Sequence, residues 1–213
     1  MRYITFAMII TVFLSGVARS DTLEDGINDI AVDAQKLANS YLRYYSSKNS
    51  AGAKENLTFI ISSMENNFRE LARQSRDENI KNMLEYLIYS KDNIKNIISK
   101  NISKENTKEV LDICKTIIEG TISFYSQNEQ NSSIKPSNKL NLEFLTNSYL
   151  LQGSNINVED KKIKNSTKVL SENLNQSLQF NKNWRSYKEI LTNKEIFVPN
   201  IIMILTRELE EGL

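Results

Sequence analysis

Apolar residues recur at three- and four-residue spacing along most of the chain, the period of an amphipathic helix. In the first such stretch Ile27, Ile30, Ala31, Ala34, Leu37, Ala38, Tyr41, Leu42 and Tyr45 fall on one face, which predicts a helix over residues 21 to about 47. Lys48 to Gly52 breaks the pattern. A second helix is expected over about 53–74, with Leu57, Ile61, Met64, Phe68 and Leu71 as its stripe. A third follows a polar turn at Ser75-Arg76-Asp77, with Asp77 as a candidate cap, and runs to about residue 100 with Ile80, Met83, Leu84, Leu87, Ile94, Ile97 and Ile98 inward. Ser103 is placed to cap a fourth, whose stripe is Val110, Ile113, Cys114, Ile117, Ile118, Thr121, Phe124 and Tyr125.

Residues 127–137 interrupt this rhythm with one apolar residue, Ile134, and one proline, Pro136, and read as a linker. Helical periodicity resumes at 140–152 and, after a turn at Gly153-Ser154-Asn155, at 158–180 with Ile163, Leu170, Leu174 and Leu178 inward. A short helix over 183–192 carries the only tryptophan, Trp184. The apolar run from Ile196 to Leu209 predicts a last helix with Pro199 in its first turn. The halves also echo each other. Ala38-Asn39-Ser40-Tyr41-Leu42 returns as Thr146-Asn147-Ser148-Tyr149-Leu150, and Glu65-Asn66 with Leu71 returns as Glu172-Asn173 with Leu178. The expected fold is therefore all-α: antiparallel up-and-down helical bundles forming two related units, 21–126 and 138–213.

Composition supports long helices, because 6 Gly and 2 Pro in 213 residues leave little for hairpins and tight loops. Met1-Arg2, an apolar run over 4–14 and Ala18-Arg19-Ser20 together read as a secretory signal peptide, residues 1–20, cleaved before Asp21. The expected location is periplasmic or secreted. Of the 27 Lys and Arg, two (Arg2 and Arg19) lie in that leader, so 25 basic side chains face 26 acidic ones in the remainder. Such a balance does not suit a nucleic-acid partner. The absence of His excludes His-based acid–base and nucleophile systems and His-containing metal sites, and no Gly-rich phosphate loop is present, so neither an enzyme nor a metal or other cofactor is expected. Cys114 is the only cysteine, which rules out an internal disulfide; its apolar neighbours suggest a buried thiol. Glu129-Gln130-Asn131-Ser132-Ser133 fits the acceptor pattern of bacterial periplasmic N-glycosylation and marks Asn131 as a candidate glycan site.

One stretch carries a family resemblance. Asp29-Ile30-Ala31-Val32-Asp33-Ala34-Gln35-Lys36-Leu37-Ala38-Asn39-Ser40-Tyr41 resembles the opening helix of the PilJ-type sensing domain of type IV pilus chemotaxis transducers, itself related to the nitrate-sensing module of NarX-type kinases. Gln35, Lys36, Leu37 and Asn39 lie on the family's Gln, Arg, Met and Ser positions, whereas Val32-Asp33 replaces its Ala-Gly and Tyr41 its second Arg. In the second half the corresponding positions hold Glu143 and Phe144. The resemblance implies an extracytoplasmic helical sensor and, at Lys36, a cation for a small anion. Gln35, Lys36, Asn39 and Ser40 are the candidate ligand-binding residues, because positions i, i+3 and i+4 share a helix face. One helix face is too open to exclude water, so a second copy of the helix is expected to close the site. Phe144 removes the cation from the internal repeat, which favours a homodimer through helix one. The other reading of Lys36, and the commoner fate of a lysine on such a face, is a side chain that carries its ammonium to solvent. Two functions follow: a sensor-like, ligand-binding module acting through a receptor partner, or a structural or interaction protein of the bacterial envelope, an adaptor or chaperone-like bundle with no small-molecule ligand.

Overall fold

A computed structural model describes residues 25–26, 28–47, 51–75, 78–100, 102–128, 137–154, 156, 178–193 and 195–213. The expected signal peptide, Asp77, Asn131, most of the linker and most of the helix expected over 158–180 lie outside the described residues. The described residues form an all-α bundle of seven helices. They are α1 (28–46), α2 (Ala51–Gln74), α3 (Glu78–Ile98), α4 (Lys104–Asn128), α5 (Asn138–Gly153), α6 (Leu178–Thr192) and α7 (Pro199–Glu210).

Local chemistry sets several boundaries. Ser103 accepts a hydrogen bond from the Asn106 amide at 3.0 Å, and Ser137 accepts one from Leu140 at 3.2 Å, so each hydroxyl satisfies an amide that has no partner within its own helix. Pro199 occupies the first turn of α7, where its missing N–H costs nothing. The break expected between 180 and 183 is absent. Asn181-Lys182-Asn183 lacks Gly and Pro, and burial of Trp184 and Tyr187 one turn further on outweighs the weak helix propensity of the two asparagines.

The outer helices behave as their stripes predict. In α2, Ala53, Leu57, Ile61, Met64, Phe68 and Leu71 are buried; in α4, Val110, Cys114, Ile117 and Ile118 are. Each fully buried Leu or Ile contributes about 1.5–3 kcal/mol relative to exposure. Two helices differ. Within residues 30–42 of α1 only Asp33 and Lys36 are not fully buried, and α5 buries Asn141, Glu143, Thr146 and Ser148 along with its leucines. These two helices are therefore central, with polar side chains inside the protein on both.

Their relative direction follows from hydrogen bonds. Asn39 meets Glu143 and Asn147, and Ser46 Oγ lies 2.8 Å from Ser154 Oγ, so position rises together on both helices and α1 runs parallel to α5. This agrees with the up-and-down order: four antiparallel steps bring the fifth helix back to the direction of the first. The last helix, α7, opposes both. Lys36 and Arg43 of α1 reach Glu210 and Asn200, and Thr146 of α5 reaches Thr206. One apolar cluster joins α1 to α2, α3 and α4, and a second joins α5 to α6 and α7. Leu140 of α5 belongs to the first cluster and Leu42 of α1 to the second, so packing crosses the expected boundary at 127–137. Tyr149 ties α5 to the start of α7, donating to Ile196 O at 3.0 Å and accepting from Val198 N at 2.8 Å. Phe197 lies so close over Gly153 that an added Cβ would come within 2.0 Å of its ring.

Candidate functional site

The polar residues Lys36, Asn39 and Ser40 of α1 each have a protein partner, on three different neighbouring helices. Asn39, fully buried, donates from Nδ2 to the Glu143 carbonyl at 3.0 Å and also to Glu143 Oε2; its Oδ1 accepts from Asn147 Nδ2 at 2.8 Å. Both partners are on α5. Lys36 turns instead to α7, where its ammonium is 2.8 Å from Glu210 Oε2. Ser40 faces α2 and accepts from Asn56 Nδ2 at 3.1 Å. Gln35 is buried. Lys36, Asn39 and Ser40 thus share a stretch of helix but point to three different neighbours, and they do not converge on one open site. The place expected for a second copy of helix one is filled from within the chain: α5, the internal repeat, lies along α1.

Three carboxyl groups surround the one ammonium. Burial raises the Glu143 carboxyl well above the ordinary carboxylate range, and the adjacent Glu210 charge adds to this against the opposing pull of Lys36. Burial likewise pushes Asp33 up to about 6, although Lys36 and a 2.6 Å hydrogen bond from Asn67 Nδ2 work the other way. For Lys36 burial alone would lower the pKa, but the hydrogen bond and charge of Glu210, with Glu143 and Asp33 nearby, leave it raised. Glu210 Oε1 is buried without a hydrogen-bond partner. The Glu143 and Glu210 carboxyl groups are hydrogen-bonding neighbours, an arrangement that favours a proton held on Glu143. Beside them Thr146 Oγ1 lies 2.8 Å from Tyr187 OH and 2.7 Å from Thr206 Oγ1, which completes a polar layer through α5, α6 and α7.

What this layer can do is hold helices in register and hold a proton. A buried asparagine pair between parallel helices disfavours any shift of one helix along the other, since a shift would leave amide groups without partners. The layer is poorly suited to an anion, which would have to displace Glu210 from Lys36 and then face two further carboxyl groups. Among the described residues no group of three or more His, Cys, Asp and Glu side chains is arranged to hold a metal ion, and no helix is long and apolar enough to cross a membrane.

Sequence reasoning missed Glu143, Asn147, Asp33 and Glu210 as members of the layer. For the first two a signal existed: Glu143 and Asn147 are the repeat's counterparts of Gln35 and Asn39. Cys114, read as a buried thiol, is buried, and its pKa is pushed up to about 12 by desolvation. The chain matches no family model, no curated protein and no solved structure.

Proposed function

We propose that the chain is an exported, non-enzymatic helical interaction protein that works by presenting its outer helices to a partner. The observation that carries this reading is the pairing of Lys36 with Glu210 at 2.8 Å, which commits the one cation of the anticipated anion site to a structural bond. Support also comes from the surface, where Phe59, Tyr86, Tyr89, Ile201 and Ile204 are large apolar side chains left exposed. The leader pattern of residues 1–20 and the lack of His support the exported, non-enzymatic part. On this reading the PilJ-type resemblance of α1 concerns the register of a central helix rather than a ligand site.

A thermal-shift screen of the mature chain tests the choice. Nitrate, nitrite, sulfate and small organic acids should raise the melting temperature no more than chloride at equal ionic strength, because a ligand stabilises only the state it binds. A specific rise that Lys36→Ala removes would restore the anion-sensor reading.

A further inference from the structure

The exposed aromatic residues of α3 border a groove with a distinct charge. The groove lies between α3 and α4 and encloses about 690 Å³, and its lining includes Tyr86, Tyr89, Glu105, Lys108, Glu109 and Asp112. The two tyrosines are three residues apart on one helix face and are 56% and 65% exposed, a costly arrangement for large rings unless something covers them. Tyrosine is also among the side chains most enriched at protein interfaces. Opposite them α4 presents three carboxylates against one ammonium, an excess of two negative charges in a chain whose total is only +1. The groove thus carries a negative excess that the chain as a whole does not. Glu105 is held below the ordinary carboxylate range by its own backbone amide and the Ser103 hydroxyl, so it stays ionised at neutral pH.

Building on the interaction reading, we propose that the α3/α4 groove docks a short arginine-bearing segment of a partner protein. Charge complementarity selects a basic occupant, and the exposed rings select arginine over lysine. A guanidinium stacks flat on a tyrosine face while its edge forms paired hydrogen bonds to a carboxylate; an ammonium does only part of this. The volume suits a few side chains of a peptide rather than the face of a folded domain.

The test uses the full mature chain and a labelled peptide carrying several arginines among alanines and serines, with sister peptides in which glutamine or glutamate replaces every arginine. Anisotropy titrations at low and moderate salt measure binding. The arginine peptide should bind, more weakly as salt rises, and the glutamine and glutamate peptides should bind far less. Glu109→Lys with Asp112→Lys, and separately Tyr86→Ala with Tyr89→Ala, should each weaken binding about tenfold or more. All four positions are exposed or line the groove, so folding should persist, with Trp184 fluorescence as the check. Glu55→Lys with Glu189→Lys makes the same change in net charge at exposed positions elsewhere and should leave binding nearly unchanged.

Equal binding of the arginine and glutamine peptides would overturn the proposal, as would equal losses in the groove and control variants, which would indicate diffuse attraction. A dimer of the chain that the groove substitutions dissolve would identify a second copy as the occupant and overturn it as well. Crosslinking in the native envelope separates this proposal from the broader reading. A partner trapped equally by wild type and the groove variants sinks the groove and leaves the interaction reading standing; a wild type that traps no protein sinks both.

Discussion

Replacing Asn39 with alanine removes the centre of the α1/α5 contact, and its cost can be worked from the bonds it makes. The amide donates to the Glu143 carboxyl and to the Glu143 carbonyl, and it accepts from Asn147. A buried acceptor left without its donor costs about 1–3 kcal/mol, more where the group carries charge. The Glu143 side chain is fully buried and has no water to turn to, so it belongs near the upper end of that range. The carbonyl still has its helical hydrogen bond and belongs near the lower end. A residual void where the amide stood adds about 1 kcal/mol. The sum is about 5 kcal/mol, a large share of the stability of an ordinary domain. Asn147→Ala should cost about 1–2 kcal/mol, because Asn147 is only half-buried and water can reach part of the gap. The two asparagines are directly bonded, so the double variant should fall short of the sum by about 1 kcal/mol. Urea unfolding followed by Trp184 fluorescence and far-UV circular dichroism gives all three values. A loss below about 1 kcal/mol for Asn39→Ala, or strict additivity with Asn147→Ala, would refute the reasoning that this pair holds the central helices together.

Three further outcomes follow from the same layer and its surroundings. Glu143 keeps its proton in the folded protein over a pH range in which the unfolded chain has already released it. The folded state therefore binds more protons there, and this group's contribution to stability falls as pH rises from about 4.5 to its raised folded value, then levels off. Unfolding midpoints across pH should show that slope in the wild type and a flatter one in Glu143→Gln. Lys36→Met should cost about 1–3 kcal/mol, since it strips the partly buried Glu210 carboxylate of its 2.8 Å partner while Glu210 Oε1 already lacks one; urea titration at neutral pH measures it. Cys114 should react with a disulfide reagent at least about 100-fold more slowly in the native protein than in urea, because burial suppresses its thiolate.

The outer helices were legible because each has one wet and one dry face, and the 3.6-residue period records that contrast. Leu57 through Leu71 of α2 and Val110 through Ile118 of α4 were readable for this reason. The central helices were harder. In α1 and α5 burial extends nearly around the helix, so Gln35 and Asn39 read as a ligand-facing side when both are interior, and Asn39 is satisfied by Glu143 and Asn147 of α5. A polar residue in a helical pattern does not reveal whether its partner is water, a ligand or a residue more than a hundred positions away. The internal repeat was the one clue to that distance, since it aligns Asn39 with Asn147. Glu210 carried no such clue: in an acidic tail it reads as a solvated helix end, and only the antiparallel return of α7 brings it to Lys36.

The most direct test of the parallel, in-register pairing of α1 with α5 is a crosslink between Ser46 and Ser154, whose hydroxyl oxygens lie 2.8 Å apart. Cysteines at both positions, in a Cys114→Ser background, are close enough for a disulfide with little movement of either helix. Mild oxidation followed by intact-mass and peptide mapping should find one intrachain bond between positions 46 and 154 in a monomer. A chain that stays reduced, or that links position 46 of one molecule to another molecule, would contradict the pairing and return helix one to the surface as a dimer face.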